Sequence, residues 1–289
     1  MSSICCGIVT YNPDIKRLET NISAIKNQTE KTYVYDNGSK NISEIIQLCK
    51  KYNCNVINSG TNSGMAVALN ALANIAIAND FQYIVFLDQD SVAKPRMVEA
   101  LKSLMDKKIG IVCPAIIDRN SPDKVDEHPF LASVNHTITS GSLVNLKAFI
   151  EVGGYDERLF VDWVDLDFCH NLRLHGFTIL RTKSATIIHE LGNKEYVMKI
   201  PRKGMDGHWR LRKYYRSNHA MFRQEDKVRS QTIVISKYKH TPVYKEVLIP
   251  IISSNIFDLI LEKHRFKLLK AKLRGRKSGL KALKNNRLK

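Results

Sequence analysis

Two aspartates stand two residues apart at the end of an apolar run in the segment YIVFLDQDSVAKP, which spans residues 83 to 95. The run Tyr83–Leu87 is β-branched and aromatic, which is typical of a buried strand in a parallel sheet. Side chains two positions apart in extended backbone point to the same side, so Asp88 and Asp90 converge. Two such carboxylates repel each other and resist desolvation unless a cation lies between them. The pattern favours Mg²⁺ or Mn²⁺, whose remaining ligands are typically phosphates and water.

Other interpretations of these strand ends are weaker. A dinucleotide fold needs G-x-G-x-x-G after the first strand, where this chain has Thr10-Tyr11-Asn12-Pro13, and a P-loop needs a lysine that residues 60–64 lack. The D-x-D of aspartyl-phosphate phosphatases belongs on the first strand of the domain, and here it ends the fourth. Capping of the helix that follows Pro95 explains Asp90 but not Asp88.

Polar residues also follow the three earlier strands of the chain. Ligands bind beyond the carboxyl ends of the strands in open parallel sheets. One such cluster fits turn chemistry alone, whereas four in register indicate one site. The clusters are Thr10-Tyr11-Asn12, Asp36-Asn37, Asn62 with Gly64, and Asp88-Gln89-Asp90.

A second acidic group lies in LFVDWVDLDFCHNLRLHGF, residues 159 to 177. Apolar residues recur there at every fourth position, which predicts a helix whose buried stripe is Phe160, Val164, Phe168 and Leu172. Asp162 and Asp165 are three apart and are predicted to share another face, with Asp167 pointing away from them. These acids suit either a general base or the first turn of a helix, where they stabilise its dipole.

Strands alternate with helices over the first 115 residues, which predicts right-handed βαβ units and an open parallel sheet. The expected strands are residues 4–10, 32–35, 55–58, 83–87 and 109–113, and the expected helices include residues 64–78 and 95–105. Residues 118–135 are expected to form a long polar loop.

Charge divides the chain. Residues 1–200 hold 21 Lys/Arg and 22 Asp/Glu, a net charge of −1, and residues 201–289 hold 24 and 6, a net charge of +18. Residues 201–289 are therefore the part of the chain that is expected to bind an anionic surface. The six cysteines do not have the sequence spacing of a metal-binding site or of a redox-active pair. They are predicted to be reduced thiols of a cytosolic protein.

The chain resembles the inverting family-2 glycosyltransferases of the GT-A fold, and within them the bacterial rhamnosyltransferases of surface polysaccharide and rhamnolipid synthesis. The resemblance covers nearly the whole chain in the order of the family. It rests on Val9-Thr10-Tyr11-Asn12-Pro13, Asp36-Asn37-Gly38-Ser39, Asn62-Ser63-Gly64-Met65-Ala66, Leu87-Asp88-Gln89-Asp90-Ser91, Ser140-Gly141-Ser142, residues 160–169, His189-Glu190-Leu191-Gly192 and Tyr214-Tyr215-Arg216.

That resemblance implies an α/β GT-A fold, Rossmann-like and mainly parallel, with a basic C-terminal helical tail. It implies that Asp90 ligates the metal, that His189 lies near the metal and the diphosphate, and that Asp165 is the catalytic base. The implied nucleotide-sugar contacts are Thr10, Tyr11, Asn12, Asp36, Asn37, Asn62, Gly64, Asp88 and Gln89. The implied acceptor or supporting residues are Ser140, Gly141, Asp162, Asp167 and Arg216.

The expected organisation is a glycosyltransferase domain over residues 1–205 and a basic, membrane-associating region over residues 206–289. Residues 1–115 form its nucleotide-sugar half and residues 116–205 its acceptor and catalytic-base half. The expected reaction moves a sugar, L-rhamnose from dTDP-rhamnose, onto a lipid-linked saccharide, at the inner face of the cell membrane and with Mg²⁺ or Mn²⁺. A UDP-sugar donor fits the same fold, since Asp36 can read the imide of uracil or thymine.

A basic nucleic-acid-binding module is a rival from another class, although the tail carries no recognisable motif for it. Between residues 263 and 289 there are 12 basic residues and no acidic ones. Apolar residues fall among them at helical spacing, at Phe266, Leu269, Leu273, Leu280 and Leu283. The pattern predicts an amphipathic helix on an anionic membrane surface, interrupted at Gly275 and Gly279.

Overall fold

The computed structural model describes residues 3–120, 129–190, 194–203, 209–217, 221–262 and 264–285. Its strands are β1 (Ile4–Thr10), β2 (Lys31–Asp36), β3 (Asn55–Asn58), β4 (Tyr83–Asp88), β5 (Val92–Ala93), β6 (Ile109–Asp118), β7 (Leu131–Ser133), β8 (Leu143–Asn145), β9 (Thr178–His189), β10 (Lys194–Lys203) and β11 (Trp209–Ser217). Its helices are α1 (Ile15–Ile25), α2 (Ile42–Lys51), α3 (Met65–Ala78), α4 (Met97–Lys102), α5 (Leu146–Val152), α6 (Val164–Leu174), α7 (Met221–Tyr238), α8 (Tyr244–Leu261) and α9 (Arg265–Asn285).

Among the described residues, nine strands form one sheet with the order β3-β2-β1-β4-β8-β6-β9-β5, and β7 pairs with β9 at its side. The pairs formed by β1 with β2 and β4, and by β2 with β3, are parallel, as is the pair β6–β9. Strand β8 is inserted antiparallel between β4 and β6. Every residue of β1 is buried, as expected of a central strand covered on both faces. The expected mainly parallel α/β sheet is confirmed.

The element boundaries differ from the sequence-based ones at two places. Helix α4 begins at Met97 because Arg96 adopts a left-handed conformation, with φ of 61°, which a helix does not continue through. The expected polar loop contains β7, because Leu131, Ala132 and Ser133 pair with β9. Strand β6 also continues to Asp118, where it still pairs with β9. Pairing partners distant in the chain stabilise these segments, and local sequence does not show them.

The chain divides into two compact units, residues 1–190 and 191–289. The first contains the nine-stranded sheet. The second contains the antiparallel pair β10–β11 and the helices α7, α8 and α9. This division falls earlier than the boundary near residue 205 that the composition predicts, since the change in charge does not coincide with the change in contacts.

Helix α9 is continuous, so the expected interruption at Gly275 and Gly279 is wrong. A Cβ at Gly275 would collide with the carbonyl of Glu225, and one at Gly279 would lie 2.8 Å from the carbonyl oxygen of Arg229. The glycines therefore let α9 approach the backbone of α7. Their cost in helix propensity, ~1 kcal/mol each, is offset by this close packing.

A buried ionic centre joins the three C-terminal helices. Asp258 of α8 accepts hydrogen bonds from Lys227 of α7 at 2.9 Å and from Lys272 of α9 at 2.8 Å. Lys272 also donates to Asn255 at 2.5 Å. Burial lowers the pKa of Lys272, and the hydrogen bond from Lys272 to Asp258 opposes that shift. Removing one partner would leave the other charge buried and uncompensated, which is strongly destabilising.

The cysteines agree with the prediction of reduced thiols. All six cysteines are free thiols and five of them are buried, and burial raises the pKa of Cys5 and Cys49 to about 12. In the described part of the chain, no helix has both the length and the apolar character required to span a bilayer.

Candidate active site at the carboxyl edge of the sheet

The register of the sheet brings three of the predicted clusters together. Thr10 is the partner of Asp36 on β2, and Val9 is the partner of Asp88 on β4. The strands are parallel, so all three carboxyl ends lie at one edge. The Thr10 hydroxyl donates to Asp36 Oδ1 at 3.1 Å. The side chains that follow β1, β2 and β4 therefore share one cleft.

Asp36 organises the loop that follows β2. Its carboxylate is fully buried, and Oδ2 accepts from the backbone amides of Gly38 at 3.2 Å and Ser39 at 2.8 Å. Ser39 in turn accepts from the amide of Asn12 at 2.7 Å. These bonds occupy one lone pair of Oδ1 and two of Oδ2. The contact to a nucleobase that the resemblance implies for Asp36 stays a prediction.

Tyr11 presents its ring to solvent beside this loop, with 48% of the residue exposed. Its backbone is fixed by Gln89, whose Oε1 accepts from the Tyr11 amide at 2.7 Å and whose Nε2 donates to the Tyr11 carbonyl at 3.4 Å. Asn12 follows with φ of 46°. A held backbone with an exposed aromatic ring suits stacking on a planar ligand.

Asn37 and Asn62 shape the loop before α3. Asn37 Oδ1 accepts from the amide of Ser63 at 2.8 Å, and its Nδ2 donates to the carbonyl of Gly64 at 3.2 Å. Asn62 Oδ1 accepts from the amide of Gly64 at 3.1 Å. Asn37 and Asn62, both predicted to contact the nucleotide sugar, therefore hold this loop in place through their side-chain amide groups.

A chain of hydroxyl groups connects Asp88 to His189. Ser140 Oγ accepts from the amide of Asp88 at 3.1 Å and lies 2.7 Å from Ser91 Oγ. Ser91 is fully buried, and its hydroxyl lies 2.9 Å from His189 Nδ1. His189 Nδ1 is also 3.8 Å from Asp88 Oδ2. The imidazole is thus held by its Nδ1 side, which leaves Nε2 for a ligand.

Asp90 lies beside this chain on the loop after β4. Arg119 donates to its backbone carbonyl at 2.9 Å. Arg17 pairs with Glu190 at 2.7 Å, and the pKa of Arg17 is raised chiefly by Glu190 and to a lesser degree by Asp90. Desolvation raises the pKa of Asp88, the charge of His189 lowers it, and the charge of Asp90 raises it further. The carboxylates of Asp88 and Asp90 are therefore close enough to repel each other.

Asp165 faces the same cleft from α6. Burial raises its pKa to about 6, and the charges of Asp88 and Asp162 add to that shift. Its Oδ1 accepts from the amide of Leu166 at 2.9 Å, which opposes the shift. The candidate base and the strand-end acids thus share one electrostatic environment, although 77 positions separate Asp88 from Asp165 in the chain.

The helical face predicted for Asp162 is wrong, because α6 begins only at Val164. Trp163 precedes it with φ of 74°, a left-handed conformation that is strained for an aromatic residue. Asp162 therefore lies on the incoming loop, near Asp165 by folding of that loop. Asp167 is 1% exposed, and its charge contributes to the raised pKa of Arg158, which is due first to Asp156. Asp167 is predicted either to contact the acceptor or to support other residues of the site, and its burial favours the supporting role.

Gly64 couples the acidic loop to α3. The amide of Met65 donates to the carbonyl of Phe160 at 2.5 Å. Gly64 has φ of 91°, and a Cβ there would lie 2.6 Å from Phe160 Cδ2. Only glycine permits this approach. The residue predicted to contact the nucleotide sugar thus positions the segment that carries Asp162 and Asp165.

Ser140 and Gly141 belong to a loop beside β4, where the amide of Gly141 donates to the carbonyl of Phe86 at 2.8 Å. Arg216 lies in β11, opposite Glu195, and its side chain falls outside the described part of the structure, as do Leu191 and Gly192. Ser91 is a site residue to which the sequence pattern assigns no role. Its place directly after the acidic pair was the available signal.

The donor set of the cleft fits a hard divalent cation. In the described ranges, no three or more His, Cys, Asp or Glu side chains form a metal cage. Mg²⁺ and Mn²⁺ do not need one, because one or two protein carboxylates with substrate phosphates complete their shell. The two predicted metal ligands, Asp90 and His189, form a set of that smaller kind.

The chain is similar to several known proteins. The family model described as "Glycosyl transferase family 2" matches residues 5–158. The chain is 30% identical over 238 residues to dTDP-rhamnosyl transferase RfbF of Shigella flexneri, which covers 76% of this chain and 79% of that protein. A structure of S. aureus TarS in complex with UDP-GlcNAc has a TM-score of 0.63 at 13% identity, covering 93% of this chain and 79% of that one. The mannosyltransferase PcManGT of Pyrobaculum calidifontis, in complex with GDP-Man and Mn²⁺, has a TM-score of 0.57 at 13% identity. The match covers 98% of this chain and 74% of that one.

We expect Gly64→Ala to destabilise the protein more than Gly60→Ala. Both glycines have positive φ, so alanine costs about 1–2 kcal/mol at either position. Only at Gly64 would the added Cβ also collide with Phe160, since no described atom lies within 4 Å of the Cβ at Gly60. Denaturant unfolding measures the cost, and the NMR signal of the Trp163 indole should shift in the Gly64 variant alone. Equal costs with an unchanged indole signal would contradict this coupling.

Proposed function

The chain belongs to glycosyl transferase family 2, and from that premise we propose that it transfers L-rhamnose from dTDP-rhamnose onto a lipid-linked saccharide with inversion at the anomeric carbon. The observation that carries the proposal is the position of Asp165, a carboxylate whose pKa is raised to about 6 in a cleft shared with Asp88. The identity to a dTDP-rhamnosyl transferase, 30% over three quarters of the chain, supports this donor.

The nucleotide would lie over the ends of β1 and β2. The exposed ring of Tyr11 is suited to stack on a base. Asp36 lies beside it and would read the base edge through the lone pair of Oδ1 that the loop leaves unused, and Asp88 would contact the ribose. These assignments follow the family resemblance, and the hydrogen bonds of Gln89 and Ser39 that hold the backbone of residues 11 and 12 support them.

A divalent cation, Mg²⁺ or Mn²⁺, would be held by Asp90 and His189 Nε2. When bound, such an ion neutralises the charge of the departing diphosphate. Binding through Nε2 requires His189 to carry its proton on Nδ1 and donate it to Ser91, at the observed 2.9 Å. Ser91 can then donate to Ser140, so the hydroxyl chain accommodates this tautomer.

Asp165 would act as the general base. Its carboxylate takes the proton of the acceptor hydroxyl while that oxygen bonds to the anomeric carbon. The bond from the anomeric carbon to the diphosphate breaks on the opposite side, and the electron pair leaves with the nucleotide. A base with a pKa of about 6 combines raised basicity with a mostly ionised state at neutral pH. The repulsion from Asp88 and Asp162 that raises the pKa is relieved when Asp165 takes the proton.

Two other functions remain to be separated from this one. A UDP-sugar donor, with a galactosyl, glucosyl or N-acetylhexosaminyl group, fits the fold, and TarS was solved with UDP-GlcNAc. A nucleic-acid-binding role would use the basic helices. Nucleotide release measured with a panel of nucleotide sugars distinguishes a UDP-sugar donor from dTDP-rhamnose. A salt-sensitive DNA mobility shift would support nucleic-acid binding.

The acceptor's lipid is proposed to bring the chain to the inner face of the cell membrane as a peripheral protein. Successive residues of a helix are rotated by about 100°, so four exposed apolar residues of α9 fall on one side, at Phe266, Leu269, Leu273 and Leu280. Arg265 and Arg276 lie along one margin of this stripe, and Lys270, Lys277 and Lys281 along the other. Leu283 is half-buried and lies apart from the stripe. An apolar stripe between basic margins suits an anionic bilayer surface.

Asp90→Ala should abolish metal-dependent binding of dTDP-rhamnose while leaving the fold intact, because the cation loses its charged ligand. Calorimetry with dTDP-rhamnose, in the presence of Mn²⁺ and in the presence of EDTA, measures this dependence. Asp106→Ala, an acid in the turn before β6 and so at the opposite end of the sheet, is the matched control. The assignment fails if the Asp90 variant binds the donor normally in Mn²⁺.

Asp165→Asn should keep donor binding and lower transfer by ~10²–10⁴, the usual effect of losing a general base. Wild-type turnover should fall below about pH 6, because the protonated carboxyl cannot accept a proton, and level off above it. The residual turnover of the Asn variant should lack this dependence. The same measurements on Asp162→Asn and Asp167→Asn test the choice among the three acids, and lost donor binding with retained turnover would move Asp165 to the donor pocket.

Leu269→Gln with Leu273→Gln should weaken sedimentation with vesicles that contain phosphatidylglycerol. Deletion of α9 is unsuitable, since Leu268, Ala271 and Lys272 of that helix are buried. The matched control replaces Ile46 and Ile150, which are similarly exposed but lie in the first unit. High salt should release the wild type only in part, because apolar contacts are not screened. Unchanged sedimentation of the α9 variant would place the contact elsewhere, first on the exposed isoleucines of α8.

A further inference from the structure

One polar side chain lies on the buried face of α1. The buried residues of this helix are Leu18, Ile22, Ile25 and Asn21, and Asn21 is 0% exposed. Its Nδ2 donates to the backbone carbonyl of Asp88 at 2.6 Å, whereas its Oδ1 has no hydrogen-bond partner among the described residues. A buried acceptor without a partner costs stability. The described contact that uses the polarity of Asn21 is therefore the one at the end of β4.

The carbonyl that Asn21 contacts begins the turn that carries both acidic side chains of this strand end. Residues 88–91 form a four-residue turn in which the amide of Ser91 donates to the same carbonyl at 3.2 Å. A carbonyl oxygen has two lone pairs, so Asn21 and Ser91 together satisfy it. The peptide group that follows Asp88 is thus fixed. Its rotation would change the direction of the Asp88 side chain relative to that of Asp90.

A second contact attaches α1 to the segment beyond the turn. Gln28 follows the helix, and its Nε2 donates to the carbonyl of Lys94 at 3.1 Å. Its Oε1 accepts from the amide of Val98 at 3.2 Å. The helix is therefore held beside α4 by Gln28 and by its apolar face, without the help of Asn21. The bond from Asn21 is left to act on the acidic turn itself.

We propose that Asn21 is a positioning residue of the donor site: its bond to the Asp88 carbonyl sets the direction of the Asp88 side chain relative to that of Asp90. The inference rests on the proposed function, in which Asp90 binds the divalent cation and Asp88 contacts the ribose. Asn21 is fully buried and acts through the backbone of the turn. Changes to residues that support metal ligands in this way typically cost ~10–100-fold in metal affinity.

The test compares Asn21→Ala with the wild-type full chain. Alanine has the highest helix propensity, and it removes the unpartnered Oδ1 together with the bond, so the fold should be retained. At saturating dTDP, the affinity for Mn²⁺ should fall about 10–100-fold, because the Asp90 carboxylate is no longer held in its direction. Electron paramagnetic resonance of free Mn²⁺ measures this affinity. A folded Asn21→Ala variant with wild-type Mn²⁺ affinity would overturn the proposal.

The matched control is Asn145→Ala. Asn145 is also buried, and its Nδ2 also donates to a backbone carbonyl, that of Ile109, at 3.2 Å. It pairs with Tyr83, however, at the end of β4 opposite to Asp88, and its Oδ1 caps α5. Loss of the cap should lower the thermal midpoint of unfolding and leave the Mn²⁺ affinity unchanged. Equal losses of Mn²⁺ affinity in the two variants would overturn the proposal in favour of general destabilisation.

A second variant guards against a folding defect. Threonine is close to asparagine in size, but its hydroxyl is one bond nearer the backbone and can bond within α1. Asn21→Thr should therefore lose Mn²⁺ affinity as Asn21→Ala does. If neither variant folds, Asn21 has a structural role and the proposal is overturned.

A measurement on the metal-free protein separates this inference from the proposed function. The ¹³C signal of the Asp90 carboxyl carbon should move in the folded Asn21 variants and stay in place in Asn145→Ala. An unmoved signal in the Asn21 variants would overturn the positioning role. Absence of Mn²⁺-dependent dTDP binding in the wild type would instead overturn the metal site of the proposed function, and the carboxyl signal would still decide whether Asn21 holds the turn.

Discussion

The concentration of negative charge at the carboxyl edge of the sheet is the constraint on which the rest of this glycosyltransferase depends. Desolvation raises the pKa values of Asp88 and Asp165; the charge of Asp90 adds to the shift at Asp88, and the charges of Asp88 and Asp162 add to the shift at Asp165. The fold must hold these groups against their own repulsion. It does so with backbone amides, with His189 and with nearby arginines.

The supporting framework is built from short, specific contacts. Gln89, Ser39 and Asn37 use their side chains to fix backbone, and Gly64 allows the loop of Phe160 to lie directly against the start of α3. Ser91 and Ser140 connect the amide of Asp88 to the imidazole of His189. A geometry fixed in this way before substrate arrives is what stabilisation of developing charge requires.

The C-terminal unit must accommodate positive charge, and it also does so through specific contacts. Its helices are rich in basic residues that repel one another, yet Asp258 draws Lys227 and Lys272 into the interior, and two glycines of α9 bring it close to α7. Leu268 of α9 is part of this interior, whereas Leu269, Leu273 and Leu280 remain at the surface. That exposed stripe is the physical basis for proposing a membrane surface as its partner.

The sequence by itself determined the alternation of strands and helices, the polar clusters at the strand ends and the separation of charge along the chain. These features depend on residues near one another in the chain, through periodicity and turn chemistry. Only the tertiary structure decided that α6 starts after Asp162 and that Ser91 lies within hydrogen-bonding distance of His189. It also decided that Gly275 and Gly279 pack against α7 and do not interrupt α9. Each of these depends on a partner far along the chain, such as Phe160 for Gly64 or Glu225 for Gly275, and no local pattern of residue types records such a pairing.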